Sequence, residues 1–325
     1  MRFSDLSYSS RRLTLSLMLS STLALSACGG DEVATSEASV VDDAPTALPS
    51  PGSADEKAPV VNDFPTEKLA AILADQSEDT QARYGARHPA RTLEFFDIQP
   101  GMTVVEALPE GGWYTRILRP YLGEAGTIIG ADYSLEMYPL FDFYSAEELA
   151  AKAVWSETWP EEVAQWPGEG ATAMAFNFGS LPAELHSSAD RVLFIRALHN
   201  LASFEASGAY LSTAIDDSFQ ILKPGGVVGV VQHMGPESHS DAWADGSNGY
   251  LKKSAVVAAF EAAGFVFDGE SDVNENPKDT PTEEEYVWRL SPTLEPVEDE
   301  ALAAKYAAIG ESSRMTLRFR KPVAL

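Results

Sequence analysis

Apolar positions along the chain fall into short blocks that switch between a helical period and strand-like runs. "PTEKLAAILADQ" places Leu69, Ile72 and Leu73 on one helical face, with Thr66 positioned as its N-cap. From about residue 88 the two kinds of block alternate. "MTVVEA" (102–107), "GTIIGAD" (126–132), "ATAMAFNF" (171–178), "DRVLFIRAL" (190–198) and "GGVVGVVQH" read as successive strands, with "FVFDGE" and "RMTLRFRKP" as later ones. "WYTRILRPYL" carries Trp113, Ile117, Leu118, Tyr121 and Leu122 at helical spacing, and Pro120 kinks or shortens it. "FEASGAYLSTAIDDSFQIL" reads as one helix, "KKSAVVAAFEAAGF" as another stopped at Gly264, and "LEPVEDEALAAKYAAIG" as a late third. This alternation predicts an α/β sheet of parallel strands, with no internal repeat.

In such doubly wound sheets a ligand lies across the carboxyl ends of the strands, so the residues that close strands become candidates. Glu106 closes the first strand and the turn Pro109-Glu110-Gly111-Gly112 follows it; Asp132 closes the second. A carboxylate there can accept two hydrogen bonds from ribose hydroxyls, and it can equally be an ordinary turn acid or a cap. His199 and Asn200 stand after the fourth strand and His233 ends the fifth. A neutral imidazole suits a general base near pH 7, and capping a strand end is the bland alternative. Trp113 is expected in the core and Tyr114 at the border of the pocket. The spacing of the histidines matches no compact ligand set, so no metal is expected.

Composition narrows the partners. The chain has 325 residues, is 45% hydrophobic and carries a formal net charge of -26, which sets it against nucleic acid, whose phosphates it would repel. At the N-terminus, Arg11 and Arg12 precede the apolar run "LTLSLMLSSTLAL", which is too short to span a bilayer comfortably. Leu25-Ser26-Ala27-Cys28 resembles a bacterial lipobox, and Cys28 is the only cysteine, so no internal disulfide is available. The lipobox resemblance implies a signal peptide over residues 1–27, lipidation of Cys28 and a periplasm-facing lipoprotein. Gly29 points to the outer membrane under the sorting rule of enteric-type bacteria. Residues 28–60, rich in Ser, Ala, Pro and acids, read as a disordered tether ahead of a folded domain over 61–325.

Glu106, Gly111-Gly112, Asp132, "ADRVLFIRALHNL" and "LKPGG" fall in an order that resembles the class I S-adenosylmethionine (SAM)-dependent methyltransferases. "RHPARTLEFFDIQPGMTVVEALPEGGWYTRILRPYLG" looks like the methyltransferase-like proteins exported by Gram-negative bacteria, and "YVWRLSPTL" and "RMTLRFRKP" extend the likeness to the C-terminus. The resemblance implies a doubly wound, mostly parallel, seven-stranded Rossmann-like sheet with an antiparallel last strand. It implies SAM as cofactor and a methyl acceptor that is a small molecule or an envelope component. Carried over by position, Glu106, Pro109, Gly111, Gly112, Asp132 and Asn177 would hold the cofactor, Asn177 facing adenine or else capping its loop. His199, Asn200 and His233 would serve the chemistry.

That family's turn runs Pro-Gly-Gly-Gly, and here Glu110 replaces the first glycine. A positive φ there would cost a non-glycine residue on the order of 1–2 kcal/mol. The substrate pocket is expected from the segments 133–170 and 234–250. Two other classes stay open: a non-catalytic binding protein that keeps the fold without the cofactor, and a nicotinamide oxidoreductase, which the missing G-x-G-x-x-G counts against.

Overall fold

Among the described residues, eight strands account for the apolar runs: β1 (Thr103–Ala107), β2 (Thr127–Asp132), β3 (Thr172–Asn177), β4 (Ala189–Ile195), β5 (Leu222–Gly235), β6 (Leu251–Lys252), β7 (Val266–Ser271) and β8 (Arg314–Arg320). They belong to a computed structural model that describes residues 64–323; the signal-peptide and tether readings, Cys28 included, lie outside the described residues. The main sheet runs β3-β2-β1-β4-β5-β8-β7, and the two-residue β6 pairs with β5 off this path. β1 to β5 pair in parallel, whereas β8 inserts antiparallel between β5 and β7. The sheet is therefore doubly wound, mostly parallel and seven strands wide along that path, with its last strand reversed.

The central strands are apolar throughout because helices cover both faces. Alternate residues feed opposite cores: Val105, Ile129 and Phe194 go to one, Val104, Ile128 and Leu193 to the other. The first core takes Ile215 from the helix Tyr210–Ile221 and Phe260 from the helix Lys253–Ala262. The second takes Leu69, Leu93, Ile117 and Trp159 from four other helices. Close packing fixes at least one glycine. A Cβ on Gly229 in β5 would stand 2.7 Å from the ring of Phe96, which lies on the strand.

Two local expectations differ from what is found. Pro65, not Thr66, is the N-cap of Thr66–Ala74, and Thr66 Oγ1 donates instead to the Phe64 carbonyl at 3.1 Å. The helix expected over 204–222 is broken at Ala209, whose φ is +53°. The break lets Glu205 Oε2 accept from Leu211 N at 2.7 Å and Ser212 N at 3.2 Å, capping the second helix with a carboxylate.

Strand order changes direction between β1 and β4: the chain leaves β1 for β2 and β3 on one side and returns to β4 on the other. The crevice outside the carboxyl ends of these two strands is the topological switch point.

Candidate functional site

A cavity of about 490 Å³ opens at that switch point. Its floor is the turn after β1. Leu108 and Glu110 adopt φ of +51° and +43°, and Gly112 adopts +73°. Gly112 is fixed twice, because a Cβ there would also stand 2.4 Å from the Trp166 ring. A Cβ on Gly111 would meet nothing within 4 Å, so the space above it belongs to the cavity. Glu110 does carry the left-handed strain, and its side chain is exposed to the water of the concavity. Desolvation by the surrounding cavity walls raises its pKa, with Arg196 opposing that rise.

Glu106 is buried at the cavity edge with one side-chain partner, Thr115 Oγ1, which donates to Oε2 at 2.7 Å. Burial pushes its pKa up to about 8 against that hydrogen bond, so the neutral acid predominates at pH 7.

The far wall comes from β4 and β5. Past Ile195 the chain turns through Arg196 at φ +58° into the short helix Leu198–Ser203, which presents His199 and Asn200. His233 of β5 joins them, its ring 5.3 Å from that of His199. Burial lowers the His199 pKa to about 4, and burial together with His199 holds His233 well below the usual imidazole range. Both rings are neutral at pH 7. Gln232 Nε2 donates to the Gly249 carbonyl at 3.0 Å, which turns Oε1 toward His199 Nδ1 at 3.4 Å. Nδ1 is therefore assigned the proton, leaving the Nε2 lone pair of His199 without a protein partner. Asn200 Nδ2 donates to Tyr133 Oη at 2.7 Å.

The roof is the segment 287–293, with Trp288 6.0 Å from the His199 ring. Arg289 pins it by donating to Asp279 Oδ1 and Tyr250 Oη, each at 2.8 Å. The segments 133–170 and 234–250, expected to build the pocket, do not line this cavity. Trp113, expected in the core, packs partly buried against the second core and also lines the cavity beside Tyr114, with the Arg87 guanidinium 5.0 Å from its ring.

Of the residues singled out from the sequence, Glu106, Pro109, Gly111, His199, Asn200 and His233 meet in this cavity, with Gly112 beneath. Asp132 and Asn177 are buried to one side and do not line it. Asp132 Oδ2 accepts from Lys152 Nζ at 2.8 Å and Oδ1 from Tyr133 N at 2.9 Å. Asn177 Nδ2 donates to the Tyr133 carbonyl at 2.7 Å, holding the loop after β2. Sequence reasoning missed Arg196 and Arg87. The rule that selects Glu106 and Asp132, a charged residue closing an apolar strand, selects Arg196 equally well.

No family model and no curated protein matches the chain. Among solved structures, a SAM-dependent methyltransferase from Aquifex aeolicus is 12% identical at a TM-score of 0.43, over 78% of this chain and 98% of that one. The YcgJ protein from Bacillus subtilis is 14% identical at 0.41, over 73% and 99%. The [4+2]-cyclase SpnF is 17% identical at 0.43, over 74% and 81%. Similarity this distant leaves the fold to the strand order itself.

Proposed function

We propose that the chain is a SAM-dependent methyltransferase of the type exported by Gram-negative bacteria, acting on an acceptor held between the glycine turn and the ends of β4 and β5. The observation that carries this reading is the cavity at the switch point, which joins Glu106 and Gly111 to His199 and Asn200. The residues fit SAM directly at its methionine end and after one rearrangement at its ribose end. Glu106 and the open space over Gly111 would receive the methionine end. Asp132 would take the ribose hydroxyls once Lys152 swings away, giving up a hydrogen bond worth about 1.5–3 kcal/mol that the ribose replaces in part. When bound, SAM supplies a methyl group on a cationic sulfonium. His199 would accept the acceptor's proton at Nε2, with Gln232 holding its tautomer, and the roof at 287–293 would keep water from the reacting groups.

The same proposal puts the protein on the periplasmic face of the outer membrane through lipid on Cys28, supported by the order of charge, apolar run and lipobox-like residues. Palmitate labelling that persists in Cys28→Ser would overturn the anchor.

A second reading is favoured by one observation: Asp132 and Asn177 are already satisfied within the protein, as in a binding protein that has lost its cofactor. Calorimetric titration of the full chain with SAM, S-adenosylhomocysteine and NAD separates the readings. The methyltransferase proposal expects the first two to bind and NAD not to. Binding of NAD alone, or of none, overturns it.

A further inference from the structure

Arg196 lines the cavity wall, and the proposed reaction leaves its guanidinium unused. Its Nε is buried without a partner, and its guanidinium donates to no acceptor among the described residues. The carboxylates nearest in charge, Glu311 and Glu110, form no ion pair with it. Glu311 is occupied: it accepts from Arg87 Nε at 3.1 Å, Arg314 Nη1 at 3.0 Å and Arg83 Nη1 at 3.3 Å. Three arginines already share that carboxylate, and Arg196 adds a fourth cation to the neighbourhood of a chain whose net charge is -26. The backbone commits to this placement. Arg196 holds a left-handed φ of +58°, pinned by its own amide donating to the Val231 carbonyl at 2.6 Å. Strain at a non-glycine residue persists where the surrounding structure enforces it, and here it holds a guanidinium with a buried, unpartnered Nε at the cavity wall.

We infer that Arg196 is the binding site for an anionic group, a carboxylate or phosphate, on the methyl acceptor. This rests on the methyl-transfer reading and deepens it. The alternative source of a carboxylate is SAM itself. The position argues for the acceptor: Arg196 follows β4 on the wall that also presents His199, the proposed base, and His233. A guanidinium suits a planar or tetrahedral oxyanion because it donates in a fork.

The test is calorimetric titration of the full chain in non-ionic detergent with inorganic phosphate and with benzoate, with and without saturating S-adenosylhomocysteine. Wild type should bind at least one anion whether or not S-adenosylhomocysteine is present. Arg196→Gln should weaken that binding tenfold or more and leave S-adenosylhomocysteine affinity within twofold, and Arg196→Lys should retain part of it. Circular dichroism checks that each variant is folded. Wild type that binds neither anion, or anion affinity unchanged in Arg196→Gln, overturns the inference. So does anion binding that competes with S-adenosylhomocysteine together with a tenfold loss of that ligand in Arg196→Gln, which would assign the guanidinium to the methionine carboxylate. If S-adenosylhomocysteine never binds while the anion still requires Arg196, the anion site stands and the methyl-transfer reading fails.

Discussion

The two halves of the crevice are built oppositely. On the β4–β5 side, Arg196 lacks a side-chain partner among the described residues, His199 keeps Nε2 free, and both line the cavity. On the β2–β3 side, Asp132 holds Lys152 and its own loop amide, and Asn177 holds the Tyr133 carbonyl. Burying a polar group without a partner costs free energy, so unsatisfied groups mark where a ligand is to supply the partner, and satisfied ones mark structure or a gate. By that standard Arg196 and His199 await a partner from a ligand, whereas Asp132 must first release Lys152.

The sharpest way to break this contrast is chemical. His199→Ala should cut turnover by about 10²–10⁴-fold with SAM affinity little changed, because the lost contact forms mainly in the transition state. Since burial lowers the His199 pKa to about 4, wild-type turnover should stay level from pH 7 to about 5 and fall only as pH approaches 4. An ordinary imidazole would lose activity below roughly pH 6.5. A turnover profile breaking near that ordinary value, or full activity in His199→Ala, removes His199 as base.

On the opposite side, Asp132→Ala should weaken SAM binding tenfold to several-hundredfold, as two hydrogen bonds to a charged acceptor disappear. Lys152→Met should do the reverse, tightening SAM several-fold by removing the competitor for that carboxylate. If neither variant shifts SAM affinity while the fold persists, the pair is structural and the nucleoside half stays closed.

Between these halves stands Glu106, buried like Asp132 yet with only Thr115 as its side-chain partner. Its folded pKa of about 8 lies above the ordinary 4.5, so the unfolded chain loses this proton first. The ligand-free protein should therefore lose stability as pH rises from 4.5 to 8, with a slope of up to about 1.4 kcal/mol per pH unit from this group. Denaturant titrations across that window should show the slope in wild type and lose it in Glu106→Gln. A slope that survives the substitution assigns it to other groups.

How much of this contrast was legible in the sequence follows from where each interaction partner lies. The strands and their parallel, doubly covered sheet were legible because Val104, Val105, Ile128, Ile129 and Val192 to Phe194 form local apolar runs that need two covered faces. Gly112 was legible too, since its positive φ and the close approach of Trp166 leave a mark on residue type, whereas Leu108 and Glu110 take positive φ without one. Asp132 and Glu106 looked alike because each closes a strand. Their difference depends on Lys152, delivered from the helix Ala146–Ala153, and no local pattern reports that distance. The roof at 287–293 was illegible for a related reason: it has no period of its own, and Tyr250 and Asp279 hold it from outside the segment.

The smallest expected effect belongs to Glu110, which sits on the boundary and feels both sides: Arg196 from one, Asp132 and Lys152 from the other. Its left-handed φ of +43° is a property of the free protein, and strain present before and after binding cancels from affinity. Glu110→Gly should therefore show its strain relief in unfolding, as a gain of about 0.5–1 kcal/mol once the added flexibility of glycine in the unfolded chain is subtracted. Binding reads the charge instead. SAM and S-adenosylhomocysteine share the zwitterionic methionine end and differ by the methyl group and its sulfonium charge. A carboxylate about 4 Å from that charge contributes about 1 kcal/mol in water, or roughly fivefold in affinity. Glu110→Gly should accordingly weaken SAM about fivefold relative to S-adenosylhomocysteine while the protein becomes more stable. A ratio that stays constant would turn the Glu110 carboxylate away from the sulfonium and leave the positive φ as its only consequence; a ratio shifted toward SAM would make Glu110 an obstacle to the cofactor.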